Sequence, residues 1–238
     1  MAFDSGNRAT TRSALPQVGI DVGLRSYMLR VYNYMTGALA LTGGVAYVFY
    51  SSGLIEQIVG TPLYWVAVLA PLAFVLVLSF GIQKMSLGAA QATFWGYAAV
   101  MGISMSSIFL IYTGASIAEV FFITSATFLA MSLWGYTTKK DLSGMGHFLM
   151  MGLIGIIIAM VVNFFLHSAP LYFAISVIGV LVFTGLTAWD TQRIKEMYWD
   201  GDSEVVAGKK SIMGALALYL DFINLFLMLM QLMGNRRS

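Results

Sequence analysis

Residues 142–189 read LSGMGHFLMMGLIGIIIAMVVNFFLHSAPLYFAISVIGVLVFTGLTAW and contain no Asp, Glu, Lys or Arg. The stretch is longer than the roughly 20 apolar residues that one helix needs to cross a bilayer. It is divided by the short segment His167-Ser168-Ala169-Pro170, and proline fits the first turn of a helix. The stretch therefore predicts two membrane-spanning helices joined by a tight turn.

The rest of the chain has the same apolar character. Of its 238 residues 59% are hydrophobic and 10% are charged, whereas a soluble domain has about a quarter charged residues. The apolar runs are continuous rather than alternating, which indicates helices and not a barrel. We predict an all-α integral membrane protein, with a polar N-terminal tail at 1–30 and a seven-helix transmembrane domain at 31–235. The predicted spans are residues 31–52, 62–83, 88–112, 116–138, 147–167, 170–192 and 211–234.

The basic residues predict the orientation, because cytoplasmic loops are enriched in Lys and Arg. With seven spans, the N-terminal tail and every second loop lie on one side of the membrane. That side holds 11 of the chain's 13 basic residues, namely Arg8, Arg12, Arg25, Arg30, Lys84, Lys139, Lys140, Arg193, Lys195, Lys209 and Lys210. We therefore expect a cytoplasmic N-terminus and a C-terminus on the opposite side.

Several classes of function lack support in the sequence. The chain has no cysteine, which excludes disulfides and thiolate metal sites. No nucleotide-binding, zinc-protease or serine-hydrolase motif occurs, so we predict no enzymatic activity and no bound cofactor. The net charge is only +2, and no basic patch alternates with aromatic residues, so no nucleic-acid partner is expected.

Two aspartates fall where a lipid-buried helix should be apolar. Asp190 ends the sixth predicted span, and Asp221 lies about ten residues into the seventh. A charge near the bilayer centre costs at least about 2.5–3.5 kcal/mol, so Asp221 needs a partner, water or a proton. Asn224 and Gln231 share its helical face, and Thr187 lies one turn before Asp190. We interpret these residues as a polar stripe that faces protein or a cavity.

Two nearby carboxylates would share a proton, so Asp190 and Asp221 predict a pH sensor on an ion pathway. Their oxygens suit Ca²⁺, but two carboxylates fall short of the six to eight ligands that it prefers. Only transient calcium binding is therefore expected. The alternative is structural: each aspartate caps a backbone group or bonds a neighbouring Asn, Thr or Tyr to lock the helices together.

Three segments resemble the Bax inhibitor (transmembrane Bax inhibitor motif) family, in its bacterial branch. LYLDFINLF at residues 218–226 resembles the family's C-terminal signature. WDTQRI at 189–194 is similar to its aspartate-bearing sixth-helix end, and GYTTKKDLS at 135–143 looks like its fourth-helix exit. The similarity in helix count and motif order covers about residues 25–235.

The resemblance implies six helices around a central seventh and a bacterial inner membrane location. It implies that Asp190 and Asp221 form a di-aspartyl pH sensor that gates a calcium leak toward the cytoplasm. Bacterial members also include proteins that interact with a membrane-bound AAA protease. Family channels latch the sixth-helix aspartate with a basic residue of the second helix. Here that helix has no arginine, and Lys84 is the nearest candidate for a weak latch.

Three functions therefore compete. The first is a pH-sensitive calcium or other cation leak channel, and the second is a non-conducting regulatory protein that interacts with the AAA protease. The third is an intramembrane aspartyl protease, which also needs an aspartate on each of two late helices. A protease of that kind would need Gly-x-Gly-Asp and a later Pro-Ala-Leu. This chain instead reads Tyr219-Leu220-Asp221 and has no proline after Pro170.

Overall fold

The computed structural model describes residues 22–237, and this part of the chain is helical throughout, with no β-strand. An isolated β-bridge joins Tyr112 to Arg236. The prediction of an all-α protein is thus confirmed. The helices are α1 Val22–Ser51, α2 Leu54–Ile58, α3 Pro62–Gly81, α4 Leu87–Met105, α5 Ile108–Ile111, α6 Gly114–Thr137, α7 Ser143–Leu166, α8 Ala169–Glu196 and α9 Glu204–Met233.

Six of the seven predicted spans are long and apolar enough to cross a membrane within the described part of the chain. They are α3, α4 together with α5, α6, α7, α8 and α9. The remaining helix, α1, has 30 residues but falls outside this set. Tyrosine, threonine and glycine alternate with its apolar residues, which lowers its mean hydropathy.

Two boundaries differ from the predictions. The predicted polar tail at 1–30 falls mostly outside the described residues, and its last part, residues 22–30, forms the first turns of α1. The span predicted at 88–112 is interrupted between α4 and α5. There Ser106 Oγ donates to the Ile103 carbonyl over 2.6 Å, and Ser107 Oγ donates to the Ser104 carbonyl over 3.2 Å. Such side-chain bonds to preceding carbonyls compete with the helical backbone pattern.

The predicted turn between residues 167 and 170 is confirmed. His167 ends α7 in the left-handed region at φ 50°, which reverses the chain. Asn163 Oδ1 accepts from the Ser168 N–H over 3.0 Å, and Ser168 Oγ accepts from the Leu171 N–H over 3.4 Å. These bonds satisfy backbone groups that helix termini leave without partners. Pro170 lies in the first turn of α8.

The last helix is the most buried of the six apolar helices. In α9, 72% of the most apolar segment is buried, compared with 6% in α7 and 11% in α3. α9 packs against α8, α1, α6 and α4, while α3 packs on α4 and α7 packs on α8. The apolar side chains of α3 and α7 therefore point away from the bundle, as they would toward lipid. Within this packing, α9 is in contact with four of the other long helices.

Two glycines bring neighbouring helices close to the end of α8. A Cβ at Gly135 of α6 would overlap the backbone carbonyl of Ala188, and a Cβ at Gly146 of α7 would overlap the indole of Trp189. Small residues allow close approach of helices where lipid supplies no hydrophobic driving force. Both approaches enclose the part of α8 that carries Asp190.

Candidate functional site

The two predicted aspartates meet between α8 and α9. Asp190 is 7% exposed and Asp221 is 5% exposed, and the two carboxyl groups lie close enough to interact directly. Two carboxylates cannot both be charged at such a contact without strong repulsion. A proton held between the two carboxyls would remove this repulsion. The packing of α8 on α9 thus brings together two acidic residues that are 31 positions apart in the chain.

Arg193 is the cation beside this pair. Its guanidinium lies 3.4 Å from Asp190 Oδ1, one turn along α8, and 4.9 Å from the centroid of the Trp189 ring. The Arg193 side chain is half exposed, so it connects the buried pair to the surface at the end of α8. Lys84 lies exposed in the loop between α3 and α4. Arg193, and not Lys84, is therefore the cation in contact with Asp190.

Each carboxyl retains one oxygen with unused hydrogen-bonding capacity. Asp190 Oδ1 and Asp221 Oδ2 are buried and have no hydrogen-bond partner among the described residues. Asp190 Oδ1 has only the ionic contact with Arg193. Across residues 22–237, no group of three or more His, Cys, Asp or Glu side chains could hold a metal ion.

The other residues of the predicted stripe have separate roles. Thr187 Oγ1 donates to the Phe183 carbonyl over 2.8 Å, and Asn224 Nδ2 donates to the Leu220 carbonyl over 2.8 Å. Both bonds return to the residue's own helix and do not reach the carboxyls. Gln231 Oε1 instead accepts from the Ser176 hydroxyl over 2.6 Å. Of the three, Gln231 therefore joins α8 to α9, far along both helices from the aspartates.

The sequence analysis did not predict a chain of hydrogen-bonded hydroxyls next to Asp190. Ser132 of α6 is hydrogen-bonded to Thr191 of α8 over 2.9 Å and to Tyr32 of α1 over 2.7 Å. Thr191 directly follows Asp190, so these bonds fix the neighbouring turn of α8 against two other helices. Hydroxyls in apolar spans are a weak signal, because most of them bond to their own helix.

A second polar cluster lies beside Asp221. The Tyr219 hydroxyl is hydrogen-bonded to Thr42 over 2.7 Å, and Thr42 donates to the Ala98 carbonyl over 2.8 Å. The rings of Tyr97 and Tyr219 meet edge to face at 5.2 Å between centroids. The cluster fixes the rotation of α9 relative to α1 and α4, and with it the direction of Asp221.

The loop between α6 and α7 is tied to the same end of α8. Gln192 Oε1 accepts from the Leu142 N–H over 2.8 Å, and Gln192 Nε2 donates to the Lys140 carbonyl over 2.8 Å. In this exposed loop, the Ser143 N–H donates to Asp141 Oδ1 over 2.8 Å. Bonds from Ser143 lower the pKa of the Asp141 carboxyl, because they stabilise its charged form.

The family is decided by comparison with known proteins. Residues 24–238 match the family described as "Inhibitor of apoptosis-promoting Bax1". The chain belongs to the Bax inhibitor family. The resemblance seen in the three segments is thereby confirmed, and the chain is a membrane protein of the Bax inhibitor family.

Bacterial relatives match nearly the whole chain. The inner membrane protein YbhL of Escherichia coli K12 is 50% identical, with 90% of this chain and 94% of that protein covered. An uncharacterized protein of Rickettsia prowazekii, RP147, is 53% identical, with 92% and 93% covered. An uncharacterized protein of Caulobacter vibrioides is 41% identical, with 99% of both chains covered. These relatives thus match the chain over nearly its whole length.

Proposed function

We propose that the protein is a pH-sensitive cation leak channel, with Asp190 and Asp221 as its gate and calcium as its cation. The observation that carries the proposal is the close approach of two buried carboxyls, one from α8 and one from α9. A structural aspartate would be expected to bond a backbone or amide group. Here each aspartate instead faces the other, and each keeps one buried oxygen without a hydrogen-bond partner within the described structure.

The gate works through the proton that the carboxyls share. With the proton present, the bond holds α8 against α9. When the pH rises and the proton leaves, two negative charges face each other in a buried site and push the helices apart. Arg193 then stabilises the charge that remains on Asp190, because its guanidinium lies 3.4 Å away. Cation flux should therefore increase as the pH rises.

The same carboxyls serve the passing ion. Conduction needs a site that attracts a cation and also releases it. Two carboxylates provide charge and oxygen ligands but fewer than the six to eight that hold Ca²⁺ tightly. Calcium would thus pass the pair by brief contact, and the protein would need no bound metal to fold.

The proposal includes a topology of seven spans, with α1 as the first and the other helices arranged around α9. Thirty residues of α1 make a helix of about 45 Å, enough for a bilayer core of about 30 Å, and α1 packs on α4 and α9. The basic residues then place the N-terminus in the cytoplasm and the C-terminus on the opposite side. By analogy with the inner membrane protein YbhL, the bacterial inner membrane is the proposed location.

A non-conducting regulator is the second candidate, and the membrane-bound AAA protease is its proposed partner. The bonds that fix α9 and the end of α8, at Tyr219 and Thr191, favour this reading. In such a protein the carboxyl pair would only lock two helices of the bundle together.

Calcium flux distinguishes the two candidates. The purified protein is reconstituted into vesicles that contain a calcium indicator, and flux is measured at mildly acidic and mildly alkaline pH. We expect a pH-dependent flux that is abolished in the double variant Asp190→Asn, Asp221→Asn. Glu119→Gln is the control, because Glu119 is an exposed acid in the first turns of α6. A wild-type protein that passes no calcium at either pH would remove the channel proposal.

A further inference from the structure

A groove of about 1000 Å³ runs between α1 and α6. Leu29 of α1 and Leu129 and Leu133 of α6 line it, and all three are more than half exposed. The groove therefore opens on the outer surface of the bundle. Phe222 of α9 lies at its base, directly after Asp221 in the chain. A membrane component that enters this groove would thus reach the helix that carries the gate.

Three hydroxyl groups in the wall of the groove have partners within the protein. Tyr32 and Ser132 are hydrogen-bonded to each other over 2.7 Å, and Ser125 donates to the Phe121 carbonyl over 2.8 Å. These hydroxyls therefore do not need water or a polar ligand. An apolar chain can lie against them without leaving a buried polar group unpaired.

One end of the groove is basic. Arg25 lines it in the first turn of α1, and no carboxylate within residues 22–237 forms an ion pair with Arg25. At the same end, Lys195 Nζ lies 5.5 Å from the centroid of the Tyr136 ring, which also lines the groove. Lys139 and Lys140 follow α6 directly. This end has the charge that an anionic headgroup requires.

We propose that the groove binds an anionic phospholipid of the surrounding bilayer, with an acyl chain between α1 and α6 and its phosphate at Arg25. From Arg25 to Gly44, which lines the far end, α1 rises by about 28 Å. One leaflet of the hydrocarbon core is about 15 Å thick, so the groove accommodates a complete acyl chain. The affinity comes from dispersion contacts in the groove and from the basic end.

Filling the groove tests the acyl-chain site. Gly43 lines the groove, and a Cβ at Gly43 meets no atom within 4 Å, so the side chain added in Gly43→Leu begins in open space. Gly155→Leu is the matched control, because Gly155 is an exposed glycine of α7 with equally open space. The proteins are purified in mild detergent, and mass spectrometry measures the phospholipid retained per chain. We expect Gly43→Leu to lose the lipid that wild type and Gly155→Leu retain. Equal retention by all three proteins would overturn the proposal.

Changing the charge tests the headgroup site. Arg25→Gln should weaken retention of phosphatidylglycerol by about fivefold, since one basic residue near a membrane surface contributes about 1 kcal/mol. Retention of phosphatidylcholine should fall by less, because the choline cation offsets the charge of its phosphate. Lys84→Gln removes an exposed cation outside the groove and should retain phosphatidylglycerol as wild type does. A dimer that dissociates in Gly43→Leu, with no bound lipid in wild type, would identify a second copy as the occupant and overturn the proposal. Lipid binding is measured without ion flux, so its failure is distinguishable from failure of the proposed channel.

Discussion

Replacing Asp221 with asparagine should fix the gate in its closed state. The asparagine amide has nearly the shape of a carboxyl group and can donate an N–H to Asp190 at any pH. A hydrogen bond to a charged group contributes about 1.5–3 kcal/mol. The variant therefore keeps the contact between α8 and α9 and loses the charge that would break it.

The size of the effect follows from the contact between the carboxyls. Two unit charges about 4 Å apart repel by about 4 kcal/mol at an effective dielectric constant of about 20. This energy corresponds to about a thousandfold change in the ratio of closed to open protein. Because Arg193 lies 3.4 Å from Asp190 and offsets part of the repulsion, the value is an upper limit. At acidic pH the wild-type pair holds its proton, so wild type and variant should behave alike.

Two assays test this expectation. Calcium flux into vesicles should rise with pH in wild type and stay low at every pH in Asp221→Asn. In detergent, the melting temperature of wild type should fall between mildly acidic and mildly alkaline pH, and that of the variant should not. Glu119→Gln is again the control. Our account would be refuted by a variant whose flux and melting temperature follow the wild-type pH dependence.

Three further variants test the packing and the loop. Gly135→Ala should force α6 away from α8 and destabilise the protein by about 1–3 kcal/mol, whereas Gly155→Ala, in open space, should melt as wild type does. Tyr219→Phe removes the bond to Thr42 and should lower the free energy of unfolding by about 0.5–1.5 kcal/mol. The pKa of Asp141 is lowered in the folded protein, so its contribution to stability is present above its ordinary pKa and disappears as the pH falls through the folded pKa. Melting curves of Asp141→Ala and wild type should therefore differ at neutral pH and converge in acid.

The local structure could be predicted because it depends on local patterns. Uncharged runs fix where helices lie, and the segment at 167–170 marks a turn by its proline alone. The break between α4 and α5 was missed, because the serines at 106 and 107 are compatible with a continuous helix until their hydroxyls bond to the preceding turn. Helix ends are decided by such individual bonds, which composition does not reveal.

The candidate site was predictable only in part. An aspartate in the middle of the apolar run of α9 needs a partner, because burying its charge in lipid costs free energy. This makes it recognisable from the sequence alone. Its helical face also follows from spacing. The sequence offered Lys84 as a candidate for a weak latch and did not point to Arg193, because the position of the loop after α3 relative to α8 depends on the tertiary structure. No periodicity in the sequence contains that information.

The sequence by itself determined that the chain is helical, that most of its surface meets lipid, and that Asp190 and Asp221 are unusual. These properties follow from the free energy of transferring each residue from water to lipid, which depends on the residue type alone. The tertiary structure is needed to show that the two carboxyls lie close together, that Arg193 lies beside Asp190, and that α1 and α6 leave a groove with Phe222 at its base. Such contacts depend on the rotation and spacing of whole helices, which glycines such as Gly135 set by allowing backbones to meet.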